Sequence, residues 1–508
     1  MPVVTIDSRQ VDVEPGTTIL KAALKLGIDI PVFCYHDGLP VAANCRMCLV
    51  EVKGSPKPLP ACEVQVRDGM EVLTRSQVAL DARKAVLELI LLNHPVDCPI
   101  CDQAGECVLQ DHYFEHSATP SRIQVSKVHK AKAVPLGPNV MLDRERCINC
   151  TRCVRFCREV SGSRQLTQVH RGNHTEIAVF PGRQFDDPYS LCAVDLCPVG
   201  ALTSRDFRFR QRAWSLESSP AICPECSRGC NVLADAANGR LFRIRPRNNP
   251  DVNRWWACDH GRLAFRRFEE RRADRSLVDY KPQPPTRQAT LEAADVAAGR
   301  LQAIRSNGGR ILLVLSSMLS LEEGFAALRF ASSILGEKLV LLAPRGGGTA
   351  DSLLRTADSN ANRSGLTRLA AALGLETADL AGFFASPSAA EVAGLVSAGA
   401  EYEVPPLPAG ARISEAVAFS HCLDAVADKA TVLLPIPGHF EKDGHYANCD
   451  GRVQRSASAI AAPEAAVQLH VLLSRIASKM SGTLGYGDMT SVRSAALSLS
   501  GTGEGSNA

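Results

Sequence analysis

Apolar residues follow two periods along the chain, and each period predicts a type of element. The alternating stretches VVTID and VDVE flank a short turn at the amino terminus and predict a β-hairpin. TTILKAALKLGI follows with helical spacing, and Thr17 or Thr18 is its expected N-cap. The stretch 78–95, VALDARKAVLELILLNHP, has the same helical stripe. Its helix must end at or before Pro95, because proline disfavours helical geometry in the residue that precedes it.

The second half of the chain has a different pattern. From about residue 276, GRILLVLSS and KLVLLAP predict buried parallel strands that alternate with Ala- and Leu-rich helices, which is an α/β layered arrangement. The longest apolar stretch, ILLVLSSMLSL (311–321), is interrupted by Glu322 and Glu323. A membrane-spanning helix needs roughly 20 apolar residues. We therefore expect no direct membrane span.

Length, composition and net charge limit the classes of protein to which the chain can belong. At 508 residues the chain has room for three or more domains, since a domain takes roughly 100–200 residues. The apolar content of 45% and the charged content of 22% are ordinary for a globular protein. A net charge of +3 is close to neutral at this length, so we expect no nucleic-acid partner.

Cysteine content changes this picture. The chain has 19 cysteines, and only Cys422 and Cys449 fall after residue 260. The amino terminus has no charged start followed by an apolar core, so no export signal is expected. Closely spaced cysteines in such a chain indicate metal binding rather than a disulfide framework.

The first cysteine group lies between a helix and a strand. Cys34, Cys45 and Cys48 precede the alternating strand LVEV, and Cys62 follows it. Four thiolates suit a [2Fe–2S] cluster and would also suit zinc. Hairpin, helix, cysteine loop and strand together resemble a plant-type [2Fe–2S] ferredoxin domain of β-grasp fold, although the gap after Cys34 is longer than the plant spacing.

The second group begins with a histidine at the end of the predicted helix. His94 is followed by Cys98, Cys101 and Cys107. The residues alone leave two interpretations open, because a histidine is also favourable as a helix C-cap. The pattern His-x3-Cys-x2-Cys-x5-Cys resembles the histidine-ligated [4Fe–4S] site of complex I and of iron hydrogenases. That resemblance implies that His94 is a ligand.

The third group is completed by a distant cysteine that precedes proline. Such an arrangement resembles a ferredoxin-like [4Fe–4S] module, whose ligands here would be Cys147, Cys150, Cys153 and Cys197. Cys157 is followed by Arg158 instead of proline, and only Cys192 remains as a companion. Two cysteines cannot hold a further cluster, so we expect Cys157 and Cys192 to be packed free thiols.

The fourth group resembles the [4Fe–4S] motif of molybdopterin oxidoreductases. Its ligands would be Cys223, Cys226, Cys230 and Cys258. Those enzymes usually carry a lysine shortly after the last cysteine, and this chain has His260 there. The segment 431–454 resembles a late part of the same enzymes, but the chain is too short for a full pterin cradle. We therefore expect a shortened molybdopterin-oxidoreductase-like α/β domain without molybdenum.

The expected fold is multidomain, α+β followed by α/β. The predicted regions are the [2Fe–2S] ferredoxin domain (1–77), the [4Fe–4S] domain with one histidine and three cysteine ligands (78–117), the ferredoxin-like [4Fe–4S] domain (118–214), the molybdopterin-oxidoreductase-type [4Fe–4S] domain (215–275), the degenerate molybdopterin-like α/β domain (276–480) and a flexible tail (481–508). One [2Fe–2S] and three [4Fe–4S] clusters are expected, the last with less support than the others.

The order of these motifs resembles the G-type subunits of NADH–quinone oxidoreductase, the 75-kDa-type iron–sulfur subunits of respiratory complex I. The resemblance implies an electron relay without its own substrate site, which passes electrons from an NADH/flavin module towards quinone. Its partners would be the flavin-binding and quinone-side iron–sulfur subunits of the peripheral arm. It would lie on the cytoplasmic side of a bacterial inner membrane. An electron-relay subunit of an NAD-linked hydrogenase or formate dehydrogenase is the alternative.

Overall fold

The computed structural model divides the chain into two units. Residues 1–117, 120–399, 413–423 and 426–501 are described. The first unit is Met1–Leu216 and the second is Glu217–Ala508. Three of the four cysteine groups belong to the first unit, and the fourth group belongs to the second.

Short strands and five α-helices make up the described part of the first unit. Its strands are β1 (Val3–Ile6), β2 (Arg9–Asp12), β3 (Leu49–Val52), β4 (Leu59–Pro60), β5 (Met70–Leu73), β6 (Val134–Pro135), β7 (Val140–Leu142), β8 (Thr167–Val169), β9 (Glu176–Ala178) and β10 (Leu202–Ser204). Its helices are α1 (Ile19–Lys25), α2 (Gln77–Leu91), α3 (Val108–His116), α4 (Arg152–Arg155) and α5 (Ser190–Leu196).

A helix packed on a mixed sheet forms the amino-terminal part. The sheet has the order β2-β1-β5-β3-β4, in which β1 and β5 are parallel and β1 and β2 form the predicted hairpin. Thr18 is the N-cap of α1, since its side chain accepts a hydrogen bond from the Lys21 N–H. The buried face of α1 packs on the sheet through Ile19 and Leu20. Both the hairpin and the cap are therefore confirmed.

Helix α2 ends where the proline rule requires. Ser76 caps its first turn, with its side chain accepting from the Ala79 N–H, and Leu92 is the C-cap residue. Only one side of α2 is buried, through residues such as Ala79 and Leu87. The chain then leaves the helix two residues before His94.

The second unit contains an eight-stranded sheet, larger than the five-stranded sheet of the first unit, and most of the helical residues. Its strands are β11 (Glu217–Ile222), β12 (Asn231–Ala237), β13 (Arg240–Pro246), β14 (Leu277–Val278), β15 (Lys281–Pro282), β16 (Arg310–Ser316), β17 (Leu339–Ala343), β18 (Glu376–Asp379), β19 (Val392–Ala398), β20 (Glu415–Ser420), β21 (Val432–Pro435), β22 (Gly444–Ala447) and β23 (Val453–Ser456). Its helices are α6 (Asp259–Leu263), α7 (Phe265–Glu269), α8 (Arg287–Ser306), α9 (Leu321–Phe330), α10 (Arg363–Ala372), α11 (Leu380–Phe384), α12 (Leu469–Lys479) and α13 (Met489–Leu499).

An eight-stranded sheet organises the carboxy-terminal part of this unit. Its order is β15-β14-β21-β20-β19-β16-β17-β18, and the strands from β16 to β21 pair in parallel. One apolar core contains residues of α8, α9, α12 and α13, and a second core contains residues of α11. The predicted α/β layering and the parallel pairing of GRILLVLSS with KLVLLAP are confirmed. Among the described residues, no helix combines the length and apolar character that crossing a membrane requires.

The expected flexible tail over 481–508 is wrong for most of its length. Helix α13 occupies Met489–Leu499 and begins at Asp488, whose side chain accepts from the Ser491 N–H. Val492 and Ala496 are fully buried in the larger core. Only the last part of the Gly- and Ser-rich end, residues 502–508, lies outside the described residues. The helix forms because its apolar face covers α9, which the composition of the extreme terminus does not reveal.

A small antiparallel sheet of β11, β12 and β13 contains a buried carboxylate. The Asp235 side chain accepts from the Nε atoms of Arg243 and Arg245, at 2.7 Å each, and from Ser218 Oγ at 2.6 Å. Burial opposes ionisation, yet the arginine bonds lower the pKa of Asp235. The charged form is therefore the one that the folded protein stabilises.

We expect Asp235→Asn to reduce the free energy of unfolding by on the order of 3 kcal/mol, because a buried ion pair loses one partner. The loss should be equal at pH 6 and pH 8. A carboxylate whose pKa is lowered stabilises the fold above its unfolded pKa of ~3.9, and that contribution disappears only as pH falls below this value. Urea unfolding checks this, with the exposed Asp251→Asn as a control that should change stability by less than about 0.5 kcal/mol. Equal effects of the two variants would contradict the interpretation.

Candidate metal centres

The first candidate site brings four thiols together beside β3. The Cys34 N–H donates to Cys45 Sγ at 3.4 Å. Hydrogen bonds from the Cys45 and Cys62 thiols lower the pKa of Cys34, and a bond with Cys62 lowers that of Cys48. The sequence-predicted residues Cys34, Cys45, Cys48 and Cys62 therefore form one donor set.

A buried cation lies near this site. Arg83 of α2 is 3% exposed, and its Nε and Nη2 atoms have no hydrogen-bond partner. Burial lowers its pKa, while negative charge on Asp7 and Cys48 opposes that effect. A buried guanidinium with unpaired N–H groups is costly unless an anion balances its charge. A thiolate-ligated cluster beside Cys48 would supply that negative charge.

The second candidate site lies just beyond α2. The side chains of His94, Cys98, Cys101 and Cys107 all line one cleft. His94 does not cap the helix, because Leu92 is the cap residue and the His94 Nδ1 atom is buried without a partner. Burial lowers the pKa of His94 to about 4, so the imidazole is neutral at pH 7. A neutral imidazole is the form that ligates metal.

Two long-range contacts, made by Lys127 and Arg146, hold the loop that carries His94. Lys127 Nζ donates to His94 O at 2.6 Å and to Leu91 O at 2.8 Å. Arg146 makes a forked contact with Asp97, from Nε at 3.0 Å and from Nη2 at 2.7 Å. Sequence reasoning missed these residues because they are far along the chain and belong to no spacing pattern; the position of Asp97 next to Cys98 was the one available signal.

The third candidate site is a small pocket lined by Cys147, Cys150, Cys153 and Cys197. Burial is the largest cause that raises the pKa of Cys147 to about 12 and that of Cys150 to about 11, followed in Cys150 by the charge of Cys197. Ligation of a metal requires the thiolate and so releases these protons. The sequence had placed the same four residues together.

The two remaining cysteines of this region lie away from the pocket lining. Cys157 is 0% exposed at the end of α4 and Cys192 is 1% exposed in α5. Burial and the charge of Asp187 raise the pKa of Cys157 to about 12. The pKa of Cys147 is raised equally, so the position and not the pKa distinguishes the two: Cys147 lines the pocket and Cys157 does not.

We expect Cys157→Ala to keep the third cluster and to lower the free energy of unfolding by about 1 kcal/mol, since it removes one small buried group. Cys153→Ala should lose that cluster. Iron analysis and low-temperature EPR of the two variants, prepared side by side, make the comparison. Loss of the cluster in Cys157→Ala would make Cys157 a ligand and our assignment wrong.

The fourth candidate site joins the β11–β12 hairpin to the start of α6. Cys223 follows β11, Cys230 precedes β12, and the Cys223 N–H donates to Cys230 O at 2.8 Å. Cys258 caps α6, with its Sγ accepting from the Gly261 N–H at 3.4 Å. A Cβ atom on Gly261 would lie 2.7 Å from Cys223 Sγ and 3.6 Å from Cys258 Sγ. Burial is the largest cause that raises the pKa of Cys258, and the charge of Cys226 adds to it. The charges of Cys226, Cys230 and Cys258 likewise raise the pKa of Cys223, so all four cysteines are neighbours.

A buried carboxylate lies inside this cysteine group. Glu225 is 3% exposed and accepts from Arg267 Nη1 at 2.6 Å and Arg345 Nη2 at 2.8 Å. His260, the residue found where related enzymes carry lysine, places its Nε2 3.1 Å from the same carboxylate. Burial opposes ionisation, but the bonds from His260 and Arg267 lower the pKa of Glu225 to about 2. Glu225 therefore joins the loop that carries Cys223 and Cys226 to α7 and to the segment after β17.

Donor chemistry and burial fit iron–sulfur clusters at all four sites. Sets of three or four thiolates, one with a neutral imidazole, also fit zinc, so the donors alone do not decide between the metals. Comparison with known families separates the two.

Four family models match, and each contains one of the four groups. They are a 2Fe-2S iron-sulfur cluster binding domain at residues 3–77, the NADH-ubiquinone oxidoreductase-G iron-sulfur binding region at 83–122, the ferredoxin-like domain of NADH-quinone oxidoreductase subunit 3 at 137–203, and the molybdopterin oxidoreductase Fe4S4 domain at 216–269. The amino-terminal half is therefore built from iron–sulfur domains.

Curated relatives agree with these family models. The NADH-quinone oxidoreductase G subunit of Streptomyces coelicolor is 40% identical over 330 residues, which is 64% of this chain and 39% of that protein. The NADH-ubiquinone oxidoreductase 75 kDa subunit of Reclinomonas americana is 41% identical over 320 residues, 63% of this chain and 46% of that protein. Over these residues the chain is similar to the G subunits (75-kDa subunits) of NADH-quinone oxidoreductase. It spans less than half the length of these two relatives.

A solved structure is also similar in sequence to part of this chain. It is an NAD+-reducing [NiFe]-hydrogenase in the H2-reduced state, with 29% sequence identity over 41% of this chain and 90% of the hydrogenase chain. The TM-score is 0.38, which is too low for a comparison of folds.

Proposed function

We propose that this chain is an electron-relay subunit of NADH–quinone oxidoreductase that passes electrons from an NADH/flavin module towards quinone. When bound, iron–sulfur clusters supply one-electron transfer. The observation that carries the proposal is that each of four sequence-spaced donor sets converges in space, within a domain type that its family model describes as iron–sulfur-binding or ferredoxin-like.

The ligand sets form the finer part of the proposal. A [2Fe–2S] cluster would be held by Cys34, Cys45, Cys48 and Cys62, and three [4Fe–4S] clusters by His94 with Cys98, Cys101 and Cys107, by Cys147, Cys150, Cys153 and Cys197, and by Cys223, Cys226, Cys230 and Cys258. The α/β part of the second unit would be a shortened molybdopterin-oxidoreductase-like domain without molybdenum.

The chain's own residues would tune and protect these sites. Most of the thiols are buried, which excludes water and favours an apolar surrounding. Phe33, Met47, Leu87 and Val199 form one apolar cluster against which Cys45, Cys147 and Cys197 pack. Arg83 would balance negative charge at the first site, and the neutral His94 would leave the second site one unit less negative than four thiolates would.

Partners and location follow from the family as part of the same proposal. The chain would contact the flavin- and NADH-binding subunit and the quinone-side iron–sulfur subunits of a peripheral arm, on the cytoplasmic side of a bacterial inner membrane. It would bind neither nucleic acid nor substrate itself.

Purification of a tagged full-length chain from cells that make it tests this proposal. We expect co-purification with NADH-oxidising, quinone-reducing activity, and low-temperature EPR signals of both cluster types after reduction by NADH. A complex that instead takes up H2 or oxidises formate to reduce NAD+ would identify the alternative relay. A chain rich in zinc and silent in EPR would contradict both.

A further inference from the structure

Two of the candidate cysteine loops of the first unit meet at a pair of buried arginines. The loop that contains Cys34 and Cys45 lies against the loop that contains Cys147 and Cys150, since Asn44 Nδ2 donates to Asn149 O at 3.1 Å. Arg152 and Arg155, at the two ends of α4, extend from the second loop to the first. We call these two residues the arginine pair.

Arg155 contacts main-chain atoms of ligand residues in both loops. It is 5% exposed, and its guanidinium donates to Cys34 O, to Pro40 O and, at 3.3 Å, to Cys150 O. Its Nε atom also donates to Thr151 Oγ1 at 3.2 Å. One side chain thus joins the carbonyl of a first-site cysteine to the carbonyl of a third-site cysteine.

Arg152 makes a parallel connection. Its Nη2 donates to Tyr35 O, the residue after Cys34, and its Nη1 donates to Leu196 O at 3.2 Å, the residue before Cys197. Burial lowers the pKa of Arg152, and the charges of Cys150, Cys197 and Cys34 act against this. Its guanidinium therefore lies close to cysteines of both sites.

The hydrogen-bond acceptors of these two guanidinium groups are neutral, so they do not balance the positive charges of the arginines. Their hydrogen bonds go to main-chain carbonyls and one hydroxyl. A buried cation costs several kcal/mol unless an anion compensates it. The thiolate ligands at the first and third sites are the negative groups that the geometry brings close. Each electron added at these sites would increase the negative charge and so the attraction to the arginine pair.

We propose that Arg152 and Arg155 are positioning residues that fix the spacing between the first and third sites and stabilise the reduced state of both. This inference rests on the proposed electron-relay function. Arginine suits the role because its planar, always charged guanidinium forms several hydrogen bonds in fixed directions, whereas lysine supplies the charge without the fork.

The test compares Arg155→Gln, which removes the charge, with Arg155→Lys, which keeps the charge and loses the fork. Full-length protein is purified anaerobically and titrated potentiometrically with EPR detection. For Arg155→Gln we expect at least a tenfold less favourable reduction equilibrium at the first or third site, which is about 59 mV for a one-electron couple. For Arg155→Lys we expect less than a threefold change.

The distance between the first and third sites is tested by a separate measurement. If both clusters are present and reduced, a magnetic interaction between them would broaden the [2Fe–2S] signal and speed its relaxation. Both Arg155 variants should then alter this interaction. Arg205→Gln is the control, because Arg205 donates to Gly137 O at 2.8 Å in a loop without candidate ligands, and it should change neither readout. Arg152→Gln, which leaves the Arg155 bonds in place, is the second variant and should show the same direction of both effects.

Unchanged potentials and an unchanged magnetic interaction in Arg155→Gln and Arg152→Gln would overturn the inference while leaving the relay function intact. Wild-type protein without iron–sulfur signals would overturn the relay function itself. Shifts of the same size in Arg205→Gln would also overturn the inference, because they would show a general response to arginine loss.

Discussion

Replacing His94 by alanine is expected to remove one [4Fe–4S] cluster and to leave the other clusters in place. The His94 side chain lines the same cleft as Cys98, Cys101 and Cys107, and its buried Nδ1 atom has no protein partner. Three thiolates would then face a position with no fourth donor, and a metal site that lacks one ligand loses affinity and the folding free energy that comes with it. Iron content should fall by about one cluster, with loss of the matching EPR signal.

His94→Cys tests whether the site needs a metal ligand at this position or only a side chain that fills the space. A thiolate restores four donors, so the cluster should assemble, but the site becomes one unit more negative. Its reduction potential should therefore fall, the reverse of the rise that imidazole ligands give in Rieske centres. A potentiometric titration of the cysteine variant measures the shift.

His112→Ala is the matched control for both variants. His112 lies in the same unit and also has a buried Nδ1 atom without a partner, but it does not line the cleft of the second site, and its Nε2 is 3.2 Å from Val32 O. We expect this variant to keep every cluster. An alanine variant of His94 with a full, spectroscopically unchanged cluster would show that His94 is not a ligand.

Local spacing could predict the donor sets because metal ligands in one short loop are close together whatever the tertiary contacts of the rest of the chain. Cys147, Cys150 and Cys153 lie within seven residues of one another, so their convergence follows from one loop. The end of α2 followed from Pro95 alone, and the pairing of the buried strands followed from their apolar runs. These features are encoded by neighbours in the sequence.

Residues that act across the fold could not be predicted in this way. Arg155 and Pro40 are 115 residues apart and Arg345 and Glu225 are 120 residues apart, and no periodicity relates such pairs. A basic residue in the sequence looks the same whether it is solvated or buried against a carbonyl. Helix α13 was missed for a similar reason, since its apolar face has meaning only when α9 is beside it.

The sequence also did not reveal which glycines lie next to sulfur atoms. Gly200 is one of them, and its replacement by alanine is expected to have a large effect on the second site. A Cβ atom built on Gly200 would lie 2.3 Å from Cys101 Sγ and 3.1 Å from the Gln103 Cβ atom. The first distance is far inside van der Waals contact, so the Cys101 sulfur or the backbone after Cys197 and Pro198 must move. Because a ligand atom is displaced, we expect Gly200→Ala to lose the cluster of the second site.

Stability and cluster loading together distinguish this effect from ordinary overpacking, which costs about 1–3 kcal/mol. Gly299→Ala is the matched control, because Gly299 lies inside α8 with no atom within 4 Å of its Cβ position, and it should stabilise the protein by up to about 1 kcal/mol. Gly200→Ala should instead lower the iron content and leave the [2Fe–2S] signal intact. If Gly200→Ala kept its full iron content, the close approach of Gly200 to Cys101 would not matter for the cluster. The absence of a side chain at residue 200 is thus expected to be as necessary to the second site as the imidazole of His94.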